Sequence, residues 1–537
     1  MKQRISVIIS LSLLLGLVMQ TMVACAPVSQ ETSELLVVTE QSTWDRMNGQ
    51  LYVLEKAYEE AHSNVDIKVD YLPTDEQERD VYLQQLRTEI LQGGGPDCYL
   101  LPTDNTLILD EPAQYTYVDV EPLFSDVDLA MRNGLFYDIT ELYDADDTLG
   151  KDALNTKIMD AGVVNGTRYV LPLRYDVPII YAKADALEAA GLPGDILQTD
   201  ILTIMKAVLA TDDPILASGI LFDSFSAFSG FLDYSSGNAE LDAETLQPYV
   251  QTYGELRAKV GETYLDGTRL SQEEIKAIAT EESILLQKLD LKDYIYGEYG
   301  EPEPVPGLPD NVIVVGGMPI EEEKLDIYTE YYPLHIGSIA DCFSYAAVAN
   351  YEDTEFIMEP LRSVGGDVVA TVTYYAAVGS GCRNPELAYD FLRQFLLEES
   401  QREMNRPERN HTKPLKGMGA NTSNDLQYPG LIGNGWPVRD KNVVEDLWMV
   451  RRKQTYVRTL DAFFTSDGTR SRMRKIGLSA ITEEQIPIAV IAVDQVRFNT
   501  TLSDSFADTL ATVSDQTDVA EVAEQLVWIL RWHVSEG

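Results

Sequence analysis

The sequence predicts an α/β fold with a parallel sheet and at least two domains. After an apolar leader, the elements follow one another in the order β-α-β-α-β, which implies parallel strands joined by right-handed crossovers. The length of 537 residues exceeds what a single hydrophobic core usually supports. Hydrophobic and charged contents of 45% and 24% are ordinary for a globular protein.

The first strands and helices follow from their apolar spacing. Apolar or alternating runs predict strands over 35–39, 65–71 and 97–101, and helical spacing predicts helices over 45–62 and 75–92. The glycines at 93–95 end the second helix and precede a strand, so they do not form a phosphate-binding loop. Ligands gather at the carboxyl ends of parallel strands, which carry residues 40–44 and Thr103-Asp104.

Residues 165–183 form the segment around which the chain is organised. Asn165-Gly166 is a strong turn signal, and a β-branched and aromatic run follows it. Pro172 and Pro178 each remove a ladder donor, which predicts two short strands joined by a kinked polar segment at 173–177. Two interpretations remain: the kinked segment crosses between two lobes, or it belongs to an ordinary hairpin followed by a core strand.

The later chain contains a second informative block. The pattern predicts a helix over 336–345 and a β-rich run over 368–377. Asn384-Pro385 then begins a helix with the favoured cap and first-turn residues. The last amphipathic helix is predicted over 518–532.

The first 25 residues form a targeting segment. Lys2 and Arg4 precede an apolar run that is too short to span a bilayer comfortably. Met22-Val23-Ala24-Cys25 resembles the lipobox of bacterial lipoproteins, although methionine replaces the usual leucine. We therefore expect residues 1–24 to be a lipoprotein signal peptide, Cys25 to be lipidated, and residues 25–33 to be a flexible tether. The alternative is an ordinary secretory signal with a chance cysteine.

The net charge of −46 restricts the possible partners. A surface this acidic repels nucleic-acid phosphate and anionic lipid headgroups, so we expect no nucleic acid and contact with the membrane through the lipid anchor only. The four histidines and the cysteines at 98, 342 and 382 show no zinc-ligand spacing. We expect no metal, no cofactor and no redox cysteine pair.

Several motifs in order resemble extracellular solute-binding protein family 1, the substrate-binding lipoproteins of bacterial ABC importers, in particular the carbohydrate-binding type. They begin with the lipobox-like cysteine and continue with a Gly-x-Pro-Asp element before a strand, an Asn-Gly-x-x-Tyr-x-x-Pro element, a Tyr-x-Asn-Lys…Ala-Gly-Leu-Pro element and an Asn-Pro-Glu helix. These stretches are M-V-A-C (22–25), G-G-G-P-D-C-Y-L (93–100), N-G-T-R-Y-V-L-P-L (165–173), I-I-Y-A-K-A-D-A-L-E-A-A-G-L-P (179–193) and N-P-E-L-A-Y-D-F-L-R-Q-F-L (384–396). Ala182 stands where the family has asparagine, and the region after about residue 400 matches by position only.

The resemblance implies a two-lobed periplasmic-binding-protein-like α/β fold, with a ligand cleft between lobes joined by crossing strands. Crossings are expected at 173–177, at 371–377 and within 415–436. The implied first lobe comprises residues 34–173 plus 378–420. The implied second lobe comprises residues 178–372 plus 430–537, with 301–332 as a candidate insertion.

The resemblance also implies a function. The protein is expected to be a monomer that captures a small solute, a sugar or oligosaccharide, and delivers it to the membrane subunits of an ABC importer from the outer face of the cell membrane. Sugar sites need aromatic faces for the ring and carboxylates or amides for the hydroxyl groups. The candidate ligand-binding residues are Trp44, Asp104, Tyr175, Asp176, Tyr374 and Trp436.

Other functions remain open. A secreted glycoside hydrolase needs two carboxylates about 5–10 Å apart, which the sequence does not test. The motif order argues against this enzyme, and no Gly-x-Ser-x-Gly nucleophile element is evident. A peptide-binding lipoprotein and a sensor subunit that binds solute without import are further alternatives.

Overall fold

The computed structural model describes the chain in segments. These are residues 32–40, 49–103, 106–111, 114–222, 224–233, 237–261, 312–315, 318–321, 333–338, 356–404, 436–437, 492–498, 502–513 and 517–536. The predictions for residues 1–25 therefore lie outside the described residues, as do those for Trp44, Asp104 and the segment 415–435.

The described residues form an alternating α/β chain. The strands are β1 (Ser33–Thr39), β2 (Val65–Tyr71), β3 (Cys98–Pro102), β4 (Thr106–Glu111), β5 (Gln114–Asp119), β6 (Val163–Val164), β7 (Thr167–Arg168), β8 (Val170–Asp176), β9 (Pro178–Lys183), β10 (Leu232–Asp233), β11 (Asn238–Ala239), β12 (Val312–Val315), β13 (Met318–Glu321), β14 (Leu334–Ser338), β15 (Phe356–Pro360), β16 (Val369–Val378), β17 (Trp436–Pro437) and β18 (Gln495–Phe498). The α-helices are α1 (Gln50–Ala61), α2 (Glu76–Leu91), α3 (Val127–Arg132), α4 (Thr140–Ala145), α5 (Thr156–Asp160), α6 (Ala184–Ala189), α7 (Ile201–Leu209), α8 (Pro214–Gly219), α9 (Ala243–Val260), α10 (Pro385–Leu392), α11 (Glu398–Met404), α12 (Leu502–Ala511) and α13 (Val519–Glu536).

The opening β-α-β-α-β unit is confirmed. Strand β1 pairs in parallel with β2 on one side and with β3 on the other. Asp75 caps α2, because its carboxylate accepts hydrogen bonds from the backbone N–H groups of Gln77 and Glu78. Gly93 follows the helix with a φ of 78°, a left-handed conformation that suits glycine.

The larger sheet has the order β17-β8-β16-β3-β1-β2, with β18 also paired to β16. Strand β16 lies at its centre, antiparallel to β8 and β3 and parallel to β18. The predicted β-rich run and the helix begun by Asn384 are therefore both present, as β16 and α10.

A smaller sheet has the order β14-β9-β15, in which both outer strands run antiparallel to β9. The predicted helix over 336–345 is wrong at its start, because Leu334–Ser338 forms strand β14 instead. Pairing with β9 supplies hydrogen bonds that an isolated sequence pattern does not reveal. Residues 339–345 lie outside the described part of the chain.

Two hydrophobic cores accompany the two sheets. The first packs around the larger sheet and includes Leu35, Val37, Leu100, Met131, Val170, Leu173, Ala376, Phe391 and Phe395. The second includes Leu197, Ile204, Met205, Phe225, Phe228, Tyr249, Leu256, Phe506 and Leu526. Strand β9 contributes to both, since Ile179 and Tyr181 pack into the first core and Ile180 and Ala182 into the second. Its alternating side chains thus tie the two cores together.

The chain passes from the larger to the smaller sheet at Val177. Strand β8 ends at Asp176 and pairs with β16 and β17, whereas β9 begins at Pro178 and pairs with β14 and β15. The passage between sheets is confirmed, but the kinked polar segment at 173–177 is wrong, because β8 continues through Pro172 as far as Asp176. Opposite this part of β8 the pairing register shifts between Val372 and Tyr375, and such an irregularity accommodates a proline that has no N–H.

Strands β17 and β18 and the first residues of β16 pair in the larger sheet. The lobe boundaries that the resemblance implies stay a prediction. Among the helices that the structure describes, none is both long and apolar enough to cross a membrane.

Candidate functional site

The crossing region brings three separate parts of the chain side by side. Tyr175 on β8 lies opposite Val372 on β16 and opposite Trp436 on β17. The next residue, Asp176, lies opposite Thr371. Two predicted binding residues and the backbone of a third are therefore neighbours, although they are up to 261 positions apart in the sequence.

Tyr175 is mostly buried in the first core, with 8% of its surface exposed. Burial is the main reason that the pKa of its hydroxyl is raised to about 12, and the neighbouring Asp176 adds to this. A hydrogen bond with the Asn155 side chain acts in the opposite direction. The phenol therefore stays neutral and is held by the residue that caps α5.

Asp176 is half-buried and is the last residue before the chain leaves the larger sheet. A carboxylate is an oxygen acceptor of the kind that binds ligand hydroxyl groups. Asp176 also has polar interactions within the protein. Ligand contact by Asp176 stays a prediction.

Tyr374 is 2% exposed and belongs to the first core. In this conformation its ring faces protein, so contact between Tyr374 and a ligand remains a prediction that burial does not favour. Trp436 is placed by its backbone only, next to Tyr175. Trp44 and Asp104 lie outside the described residues.

Thr103 fixes the carboxyl end of β3 against the crossing strand β16. Its backbone N–H donates to the Thr373 carbonyl at 3.1 Å, and its hydroxyl donates to the Val372 carbonyl at 2.6 Å. The segment that leads to Asp104 therefore starts beside the residues that pair with Tyr175.

The carboxyl end of β1 carries a buried ion pair. Glu40 accepts two hydrogen bonds from Arg79 on α2, at 2.6 Å and 3.1 Å. The same guanidinium donates to the backbone carbonyls of Glu121 and Pro73, at 2.7 Å and 3.0 Å. Because all these atoms satisfy one another, Glu40 is a structural residue that anchors the loops at this edge of the sheet.

A second charged cluster lies where the two cores meet. Arg497 on β18 packs over the ring of Phe225, a second-core residue, at 4.1 Å from the ring centroid. Arg132 on α3, beside the first core, donates through Nη1 to the Val534 carbonyl of α13 at 2.9 Å. These contacts connect the larger sheet with the second core.

Asp128 is the unusual acid of this cluster. Burial, and then the proximity of Asp126, raise the pKa of its carboxyl to about 8, while Arg132 and Arg497 lower it. The side chain is 8% exposed. Asp128 therefore keeps its proton near neutral pH, which limits the charge at the contact between the cores.

Solved structures similar to this chain include binding proteins and designed esterases. An extracellular solute-binding protein family 1 member from Alicyclobacillus acidocaldarius is 12% identical, with a TM-score of 0.44, over 95% of this chain and all of its own. A periplasmic oligogalacturonide-binding protein from Yersinia enterocolitica is 9% identical, with a TM-score of 0.47, over 94% of this chain and 99% of its own. A structure described as a de novo designed cysteine esterase is 12% identical, with a TM-score of 0.47, over 94% of this chain and 99% of its own.

No family model matches the chain, and no curated protein matches it. With TM-scores of 0.44 and 0.47, these likenesses do not carry any function to this chain.

No group of three or more His, Cys, Asp or Glu side chains among the described residues is arranged to hold a metal ion. Cys98 is buried and Cys382 half-buried, both as free thiols, and burial raises the pKa of Cys382 to about 12. Burial also lowers the pKa of His335 to about 4, which keeps its ring neutral.

Sequence reasoning missed Asn155, Asp128 and Arg497. Asn155 carried a weak signal, because it directly precedes a short helix, where asparagine is a favoured cap. Nothing in the sequence marked Asp128 as a buried acid among the 87 acidic residues. Arg497 sits on a four-residue strand that has too few residues for a clear pattern.

Proposed function

We propose that this protein is an extracytoplasmic solute-binding lipoprotein that captures a sugar or oligosaccharide and delivers it to an ABC importer. It binds its solute without chemical change. One observation supports this proposal most strongly: the chain passes between two sheets at Val177, directly after Tyr175 and Asp176. Tyr175 and Asp176 therefore stand in the sequence directly before the change of sheet, which is why we propose them as ligand contacts.

The architecture suits a protein that closes around a ligand. Two cores joined by a few crossing segments can rotate relative to each other about those segments, as in hinged binding proteins. A ligand that contacts both sides is bound more tightly in the closed arrangement, and the population shifts toward it. A closed complex is then recognised by the membrane subunits of the importer, which the family resemblance implies as partners.

The expected ligand is neutral and rich in hydroxyl groups. Aromatic rings provide faces for sugar C–H groups, and carboxylates accept hydrogen bonds from hydroxyls. Tyr175, Asp176 and Trp436 are the proposed ligand contacts at the crossing, and Trp44, Asp104 and Tyr374 are the further candidates. The net charge of −46 disfavours anionic solutes.

We expect some oligosaccharide to raise the melting temperature of the protein. A ligand at 100 times its dissociation constant adds about 2.7 kcal/mol to the free energy of unfolding. Thermal unfolding should be measured with a panel of mono- and oligosaccharides, peptides and polyamines. A response to peptides or polyamines with none to sugars would contradict the carbohydrate proposal.

Asp176→Asn should lower the affinity for the ligand found in this panel by about 10–100-fold, because a hydrogen bond to a charged acceptor contributes about 1.5–3 kcal/mol. Isothermal titration calorimetry measures the change directly. Asp212→Asn, at an exposed aspartate in the second-core region, is the matched control and should bind like the wild type. Equal affinities for all three proteins would remove Asp176 from the site.

Cys25→Ala should release the mature protein from membranes if Cys25 carries the lipid. Fractionation of cells that express the wild type and the variant, followed by immunodetection, measures the distribution. A variant that stays in the membrane fraction after its signal peptide has been removed would show that the anchor lies elsewhere.

A further inference from the structure

Two tryptophans on the last helix are exposed to solvent. Trp528 and Trp532 are 64% and 48% exposed. Helix α13 buries its opposite face in the second core through Val522, Leu526 and Leu530, so the helix is anchored without the indoles. Burying a large aromatic side chain is normally favourable, and two exposed neighbours on one helix call for an explanation.

The two indole rings are close together and nearly parallel. Their centroids are 6.2 Å apart, and their planes differ by 11°. The separation of four positions places them on adjacent turns of one helix face. Two nearly parallel indole rings on adjacent turns suit a ligand with repeating units, because each ring can contact one unit.

The pair borders a surface groove with a volume of about 450 Å³. Its other lining residues include Asp242, Glu524, Arg531 and Ser535. This volume lies within the range of small-molecule sites. The groove thus combines apolar faces with carboxylate, guanidinium and hydroxyl groups.

The wall of the groove is held in place by hydrogen bonds. Arg531 donates to the Leu241 carbonyl at 2.6 Å, which links α13 to the start of α9. Asp242 caps α9 by accepting from the backbone N–H and the hydroxyl of Thr245, both at 2.8 Å. The hydrogen bonds from Thr245 hold the pKa of Asp242 below its usual value, so this carboxylate remains an acceptor at neutral pH.

The charges and the small apolar area limit the possible occupants. Asp242 and Glu524 line the groove of a protein whose net charge is −46, which disfavours an anionic membrane surface or an anionic ligand. A stable protein interface buries about 1,200–2,000 Å² and needs an apolar centre. The other large apolar side chains that are exposed in the described residues, Val53, Val81 and Leu91, lie on α1 and α2, against the first core.

We propose that Trp528 and Trp532 form a second binding site for a neutral saccharide chain, on the surface of the second core. The indoles stack against the C–H faces of successive sugar units, and the groups of the groove bind hydroxyls. This site holds polymeric glycan near the protein, and it is separate from the crossing region and does not depend on ligand binding there.

Affinity electrophoresis in native gels tests the proposal. The gels contain soluble starch, arabinoxylan, galactomannan or laminarin, and the mobility of the full chain is compared with that in a gel without polysaccharide. We expect at least one polymer to retard the wild type and Trp528→Ala/Trp532→Ala to weaken that binding about tenfold or more. Trp528→Phe, which keeps an aromatic face, should retain most of the retardation.

The controls separate this site from the crossing and from other surfaces. Leu91→Ala removes another exposed apolar side chain, which is 75% exposed, and should not change the retardation. Asp176→Asn should also retain it, even where oligosaccharide binding at the crossing is lost. Circular dichroism checks that the double variant is folded.

Three results would overturn the proposal. The first is that none of the polymers retards the wild type, and the second is that the double variant is retarded as strongly as the wild type. The third is a concentration-dependent dimer in sedimentation velocity that the double variant abolishes, since the indoles would then serve self-association.

Discussion

Arg79→Met should lower the free energy of unfolding by about 3–5 kcal/mol, because it leaves the buried Glu40 carboxylate without its counter-charge. The two side chains of the pair are 2% and 6% exposed, so water does not replace the lost partner. The variant also loses the donors to the Glu121 and Pro73 carbonyls. Urea denaturation monitored by circular dichroism measures the loss.

Two further variants test whether the lost stability comes from the buried charge that Arg79→Met leaves unpaired. Glu40→Leu/Arg79→Met removes both charges and should recover part of the lost stability, since no buried charge remains. Lys56→Met breaks the two solvent-accessible ion pairs that Lys56 makes with Glu55 and Glu59 on α1, and it should cost about 1 kcal/mol or less. A loss below about 1 kcal/mol for Arg79→Met would contradict the structural role of the pair.

Asp128→Asn should remove a decline in stability between about pH 4 and pH 8. The pKa of this carboxyl is about 8 in the folded protein, against a usual value of 3.8, so within this window the folded state keeps a proton that the unfolded chain has released. Stability therefore falls as the pH rises, by up to about 1.4 kcal/mol for each pH unit from this group. The neutral amide of the variant does not titrate, so it contributes no fall in stability with rising pH.

The comparison between wild type and variant isolates this effect. The groups around Asp128 are Asp126, which caps α3, Arg132 on α3 and Arg497 on β18, and they are unchanged in the variant. Thermal unfolding from pH 4 to pH 9 should show similar stabilities at the acid end and a more stable variant at the alkaline end. Asp80→Asn, at an exposed position on α2, should follow the wild type. Parallel pH profiles for wild type and Asp128→Asn would show that Asp128 ionises normally.

The Asp128 cluster also bears on the proposed closure. Arg497 contacts Phe225 of the second core, and Arg132 donates to Val534 of α13. Ionisation of Asp128 would change the charge balance where the cores meet. Solute affinity measured across the same pH range would report any coupling between this cluster and closure.

Local patterns predicted the parts of the fold that depend on neighbouring residues. The alternation in 65–71, the Asp75 cap and the Asn384-Pro385 start each became the expected element. Ser33–Thr39 pairs in parallel with both Val65–Tyr71 and Cys98–Pro102, and parallel pairing is what the β-α-β-α-β pattern implies. These predictions succeed because helix and strand periodicities are recorded in the spacing of apolar residues.

Long-range pairing decided the predictions that failed. Leu334–Ser338 is a strand because β9 lies beside it, and Pro172 is accommodated within β8 because the register of β16 shifts opposite it. Similarly, the burial of Tyr374 depends on strands from three distant segments. The sequence therefore located the crossing region in the chain, but it did not reveal which side chains of that region are exposed.

By itself, the sequence determined that the chain is α/β and that it needs more than one core. Only the tertiary structure decided that the chain changes sheets at Val177 and that Glu40 forms an ion pair with Arg79. It also decided that burial raises the pKa of the Asp128 carboxyl. The physical reason is that propensity and periodicity act over a few residues. Burial, ion pairing and shifted pKa values depend on groups that only folding brings into contact.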